Sequence, residues 1–250
     1  MTFGADKSGE LKTAANIKTS DDDVTFTNKV TLSGGDAKVL IDTDSGAGNI
    51  LFKSEVLTGG QSFTLDAGES GDITADKSIT GGGAFTVTDG AVQQYTGAIE
   101  VASLDIQDAT TAVTLDGAVK ADTSVDINSL TGKLTQNASV TAGTSLDYDA
   151  AGTIDINAGI TATQGPIDID AVGLTTITEP GAIDSGGAVT FGADKSGALK
   201  TAANIKTSDD DVTFTNKVTL SGGDAKVLID TTGSAAVDIC LLYTSDAADE

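Results

Sequence analysis

The chain contains no histidine and no tryptophan, and because all 14 of its cationic side chains are lysine it contains no arginine. Without imidazole there is no His base, no His-ligated metal and no Ser-His or Cys-His nucleophilic pair. Without arginine, and with 37 acidic residues giving a formal charge of −23, the basic footprint that nucleic acid requires is missing. A single cysteine, Cys240, excludes an internal disulfide framework and a Cys-cluster zinc site. No run of 18 apolar residues is present to cross a membrane as a helix. Aspartate is abundant instead, 31 residues against six glutamates, together with 37 threonines and 30 glycines. That mixture favours strands and tight turns over helices.

The strands announce themselves as apolar-x-apolar triplets. One series runs Val24-Thr-Phe26, Val39-Leu-Ile41, Phe63-Thr-Leu65, Phe85-Thr-Val87, Leu104-Asp-Ile106 and Val125-Asp-Ile127. It continues through Leu146-Asp-Tyr148, Ile167-Asp-Ile169, Val189-Thr-Phe191, Val212-Thr-Phe214 and Val227-Leu-Ile229. All 22 flanking positions are apolar in a chain that is 39% apolar, and the spacing is 19–24 residues except for two intervals of 15. A second series holds Ile50-Leu-Phe52, Ile73, Val113-Thr-Leu115, Leu134 and Ile154-Asp-Ile156. Single apolar anchors fall between the two: Ile17, Val56, Ile79, Val119, Val140, Ile160, Ile183 and Ile205.

Two inward side chains flanking an outward one is the period-2 mark of a strand. A unit of about 21 residues with three such strands cannot bury its own apolar row, but stacked on like neighbours it builds a continuous core. The expected fold is therefore all-β, a right-handed parallel β-helix of about 21 residues per coil and roughly eleven coils. Residues 1–239 are expected to form one array with no domain boundary. The most helix-like stretch, Leu11 to Lys18, still places Leu11 and Ile17 in the strand pattern.

A longer repeat overlies the short one. Residues 2–43 recur as 190–231, with Glu10 against Ala198 the single difference in 42 positions. Nine units of about 21 residues make up the offset of 188, which predicts that the long repeat keeps the register of the short one. Met1 falls opposite Val189, so the chain is expected to be a fragment of a longer reading frame. The last eleven residues, Cys240 to Glu250, resemble a translated transposase-adapter sequence, and 240–250 are expected to be a non-native, poorly packed tail.

Units such as Gly71-Asp-Ile-Thr-Ala-Asp-Lys-Ser-Ile-Thr80 and Asp23-Val-Thr-Phe-Thr-Asn-Lys-Val-Thr-Leu32 resemble the repeats of large bacterial surface adhesins, of the filamentous-haemagglutinin and autotransporter-passenger kind. The resemblance covers residues 2–239. It implies export, an extracellular or cell-surface location, and a structural or adhesive role towards a surface receptor or polysaccharide.

Other motifs are set against that role. The glycine-rich turns contain no Gly-x-x-x-x-Gly-Lys-Ser/Thr, so a phosphate cradle is not expected. Asp42-Thr-Asp44-Ser-Gly46 half-matches a calcium loop but lacks its fifth-position ligand and its closing Glu. The runs Asp21–Asp23 and Asp209–Asp211 read as solvated turns. A polysaccharide-cleaving β-helix enzyme is the alternative from another class, but long cleft-building loops and a strong cationic group are missing, and no enzymatic activity is expected. A cation-stabilised matrix or surface-layer component is the other alternative. Tyr148 reads as core, while Tyr95 falls between strands and is open to a surface role. Open coil ends give an expectation of end-to-end self-association.

The one candidate site is a column of carboxylates. The outward triplet positions include Asp105, Asp126, Asp147 and Asp168, each 21 residues from the last. Two residues further on, the same face carries Gln107, Asn128, Asp149 and Asp170. Rungs about 4.8 Å apart would crowd six carboxylates and two amides on one strip. Calcium, which prefers several oxygens, is the single cofactor considered, with Asp147, Asp149, Asp168 and Asp170 as its ligands and Asp105 and Asp126 in the same ladder.

Overall fold

The computed structural model describes the chain except for residues 5–8, 35–37, 44–45, 130, 209, 222–225, 232–237 and 242–250, and for Ser129 the backbone alone. Among the described residues every regular element is a strand. The strands form three parallel sheets of eleven, and each sheet takes every third strand of the chain. The first sheet starts with Thr2–Phe3, Val24–Phe26 and Ile50–Phe52, and the second with Leu11–Thr13, Val30–Leu32 and Val56–Leu57. The third starts with Ile17–Lys18, Val39–Asp42 and Phe63–Asp66. The fold is a β-solenoid of about ten turns with about 21 residues per coil. Backbone N–H groups reach across to the next coil; Ile99 N donates to Ala118 O and Val119 N to Ser139 O, each at 2.9 Å.

Burial follows the triplets. Of the 22 flanking positions, 20 are buried, and only Val227 and Ile229 in the last coil are half-buried. Full burial of a Val, Ile or Phe side chain stabilises by roughly 1.5–3 kcal/mol, so the stacked column is the main source of cohesion. Aromatic rings continue from coil to coil at one end, with Phe26 stacked on Phe52 at a 4.7 Å centroid distance and Phe63 on Phe85 at 5.6 Å.

The corners explain the turn residues. At the approach to the first sheet, Asp23 Oδ1 accepts from Asn49 N at 2.8 Å, and Asn49 Oδ1 accepts from Asp72 N at 2.7 Å. Asp72 Oδ1 in turn accepts from Val92 N at 3.1 Å. Asp23 of the acidic run is thus a rung of a corner ladder, and its copy Asp211 accepts from Asp238 N at 2.8 Å in the same way. Asp21 takes the left-handed conformation at φ 64°. At the corner leading to the second sheet, a Cβ on Gly117 would stand 2.1 Å from Gly97 O, so coils can approach there only with glycine.

The long repeat does not keep the register of the short one. Thr2–Phe3 is the first strand and its counterpart Val189–Phe191 the twenty-seventh, so one long repeat spans 26 strands, or 8⅔ coils. Pairing inside the two copies is the same: Ile17 faces Ile41 as Ile205 faces Ile229, and Thr2 faces Thr25 as Thr190 faces Thr213. The second copy is nevertheless moved round by one face. Val24–Phe26 lies in the first sheet, whereas its copy Val212–Phe214 lies in the third. The expectation of nine coils fails at the short triplet intervals. The step from Val24 to Val39 carries the chain from the first sheet to the third, two faces on and not once around. The mean coil is correspondingly a little longer than a ninth of the long repeat.

One further position corrects the sequence reading. Tyr95 is fully buried in the strand Val92–Tyr95, with Gln93 beside it on the inward face. Tyr148 is buried, as its triplet position predicts. At the far end, Ile239–Leu241 pairs with Val212–Phe214, so Cys240 and Leu241 close the last rung of the third sheet with Leu241 66% exposed. Residues 242–250 of the expected tail, and Asp44, Ser45 and Asp209 of the acidic motifs, lie outside the described residues. No helix among the described residues is long and apolar enough to cross a membrane.

Candidate functional site, an acidic strip on the third sheet

The third sheet brings the predicted carboxylates into register. Asp105 faces Asp126, Asp126 faces Asp147, and Asp147 faces Asp168 on successive parallel strands. In the second column Asn128 faces Asp149 and Asp149 faces Asp170. Threonines bound the aspartate column, Thr86 against Asp105 and Thr190 against Asp168.

The rungs are of two kinds. Where the second column holds an amide, the amide serves the acid two residues back: Gln107 Nε2 donates to Asp105 Oδ2 at 2.8 Å and Asn128 Nδ2 to Asp126 Oδ1 at 2.9 Å. Where it holds a second carboxylate, at Asp147/Asp149 and Asp168/Asp170, no such donor exists. The Oδ1 atoms of Asp168 and Asp170 are buried without a hydrogen-bond partner, and Asp170 as a whole is only 4% exposed.

A segment of the next coil roofs these two rungs. Gly192 N donates to Ile169 O at 3.1 Å and Gly197 N to Ala171 O at 2.9 Å, which pins both ends of the segment. Between them Asp194 N donates to Asp170 Oδ2 at 3.1 Å, and Lys195 Nζ forms an ion pair with Asp149 Oδ1. The Lys195 side chain is 20% exposed. The carboxylates of Asp126, Asp147, Asp149, Asp168, Asp170 and Asp194 share this part of the strip with that one ammonium.

The electrostatics follow from that arrangement. Partial burial first, and then the charges of Asp126, Asp149, Asp170 and Asp194, push the Asp147 carboxyl up to about 6. Burial, then Asp170, Asp147 and Asp194, push Asp168 up to about 6 against a backbone N–H at Ile169 that pulls it down. Asp126 is raised by burial and by Asp105 and Asp149. Asp170 is raised by burial, opposed by the N–H groups of Asp194 and Ala193.

The strip also extends to residues that the triplets do not single out. Asp42 faces Asp66, and Asp66 faces Asp89 across a register shift. Lys18 Nζ pairs with Asp42 Oδ2 at 2.8 Å. Asp89 is raised by burial and then by Asp108, with Asp66 and Glu69 adding to it and the Gly90 N–H opposing. The signal for Asp42 and Asp66 was present, since each follows directly on an inward residue, Ile41 or Leu65.

Chemically, the strip can hold cations or protons. Calcium takes six to eight oxygens around one point. Among the described residues no group of three or more acidic, Cys or His side chains is placed to hold a metal ion. The register sets the carboxylates opposite one another, strand by strand, along the strip. Compared with protein-family models, with curated proteins and with solved structures, the chain has no match.

Proposed function

We propose that the chain is a rigid stalk segment, structural or adhesive, of a large exported surface repeat protein, facing a surface receptor or polysaccharide outside the cell. The observation that carries this reading is the uninterrupted stack: eleven strands in each of three sheets, with no helix or inserted domain among the described residues. Such a stack transmits position along its axis, because each coil is fixed by hydrogen bonds to both neighbours. The charge supports an exposed, hydrated setting, with a formal −23 and polar side chains on most of the outward positions. The resemblance of the repeats to adhesin passengers points the same way.

The acidic strip favours a second reading, a surface-layer or matrix component tightened by cations. The two readings part on binding. Beads coated with the 250-residue chain, exposed to host-type glycans and to bacterial polysaccharides in chelator, are expected to bind at least one of them. Binding that appears only when calcium is supplied would favour the matrix reading. Release of unsaturated uronate from an acidic polysaccharide, followed by ultraviolet absorbance, would replace both with an enzyme.

A further inference from the structure

A carboxylate oxygen closed to solvent and without a donor is a costly thing to bury. On the lower rungs of the strip Gln107 and Asn128 remove that cost. On the upper rungs the Oδ1 atoms of Asp168 and Asp170 keep it. A proton on the carboxyl itself supplies a donor there and removes the charge. We propose that Asp147/Asp149 and Asp168/Asp170, roofed by the 192–197 segment, form a proton-binding clasp that closes in mildly acidic medium and loosens as the medium becomes neutral.

The charged groups that face the clasp come from every element packed against it. The strand Val125–Ser129 supplies Asp126, Leu146–Ala150 supplies Asp147 and Asp149, and Ile167–Ala171 supplies Asp168 and Asp170. The roof supplies Asp194 and the ammonium of Lys195, which is engaged with Asp149. One positive charge cannot neutralise this set. A proton taken from solvent turns one carboxylate of a facing pair into an O–H donor for the other, so the repulsion across Asp147 and Asp168 becomes a hydrogen bond. No other bond forms or breaks. The register sets these carboxylates opposite one another in pairs, and among the described residues no group of three or more acidic, Cys or His side chains is placed to hold a metal ion. The raised values at Asp147 and Asp168 agree with this.

The sign of the effect is set by linkage. Both groups hold their protons more tightly folded, at about 6, than unfolded, at the ordinary 3.8. Their contribution to stability is full below the unfolded value and is lost as pH rises through about 6.

The test is a carbon-13 titration of the aspartate carboxyls of the 250-residue chain, with thermal melts across the same pH range at constant ionic strength in chelator. Two carboxyls are expected to titrate near 6, and the midpoint to fall as pH rises through that value. The variant Asp149→Asn/Asp170→Asn gives the upper rungs the acid–amide pattern of Asp126 and Asn128, and is expected to flatten the pH dependence and raise the midpoint at neutral pH. Asp147→Asn/Asp168→Asn removes the titrating pair itself and is expected to flatten it equally, so failure of one variant to fold leaves the other. Titration of every aspartate in the ordinary range, or an unchanged pH slope in a folded variant, would overturn the proposal. Recovery of the acid-state midpoint by calcium at neutral pH would also overturn it, by making a cation the ligand.

Discussion

Tyr148 Oη donates to Gln136 Oε1 at 3.1 Å, with both side chains fully buried. The bond crosses the core from the third sheet to the first, because Tyr148 belongs to Leu146–Ala150 and Gln136 to Lys133–Gln136. The amide nitrogen of Gln136 faces the corner, where it donates to Ala138 O and Ala158 O at 3.0 Å each. A like device stands two coils away: Tyr95 Oη donates to Gln93 Oε1 at 3.1 Å, and Gln93 Nε2 to Asp108 O at 2.6 Å. Burial drives both phenols above their ordinary range, so each is a neutral donor at every pH of interest.

Tyr148→Phe removes the phenol and leaves Gln136 Oε1 buried without a donor, at a cost of about 1–3 kcal/mol. Gln136→Leu strands the phenol and two carbonyls together and is expected to cost more than Tyr148→Phe. Urea unfolding of the two variants orders them. A neutral Gln136→Leu would show that the amide bonds do not hold the corner.

Ile127 and Ile169 each flank an outward aspartate and are at most 1% exposed. Aspartate at either position buries a charge among stacked aliphatics, a change expected to exceed about 4 kcal/mol. The outward neighbour is the control: Asp126→Asn leaves the core untouched and is expected to change stability far less, in either direction. Equal losses for Ile127→Asp and Asp126→Asn would place the strand in the opposite register.

Much of this was legible in the residues, and the exceptions share a cause. The triplets expose the core because each strand alternates, and the aspartates of the third sheet follow from their constant spacing. The phase did not follow, because Val24-Thr-Phe26 and Val39-Leu-Ile41 carry one pattern on two different faces. Tyr95 was missed because its inward partner is Gln93, which breaks the apolar-x-apolar rule yet satisfies the phenol. Lys195 was missed because it reaches Asp149 from a later coil. Local patterns report which side of a strand faces inward; contacts made through a later turn depend on how many strands intervene.

Gly117 and Gly9 separate steric need from mere turn composition. A Cβ on Gly117 meets the backbone of Gly97 at 2.1 Å, and that backbone is itself held in the coil stack, whereas a Cβ on Gly9 meets nothing within 4 Å. Gly117→Ala is therefore expected to force the coils apart and lower the thermal midpoint clearly. Gly9→Ala is expected to stay within about 0.5 kcal/mol of the parent. A tolerated Gly117→Ala would mean that the corner is looser than the close approach requires.

Because the long repeat spans 26 strands and not a multiple of three, the segment 190–231 presents the residues of 2–43 on a different face of the solenoid. Identical surfaces then point in directions about a third of a turn apart, which denies a flat partner access to both copies at once. The strand order behind this can be read by cross-linking. In a Cys240→Ser background, cysteines at Thr25 and Leu51, outward partners in the first sheet, are expected to join through a short thiol cross-linker, since neighbouring strands lie about 4.8 Å apart. Cysteines at Thr25 and Leu40 would be neighbours if the short interval between their triplets closed a coil, but they lie on different sheets and are expected to stay unlinked. The second copy offers the same contrast with one substitution, because Thr213 faces the native Cys240 in the third sheet. Thr213→Cys is expected to cross-link to it in the otherwise unaltered chain. Efficient linking of positions 25 and 40, with none between 25 and 51, would restore a nine-coil repeat and return both copies to one face.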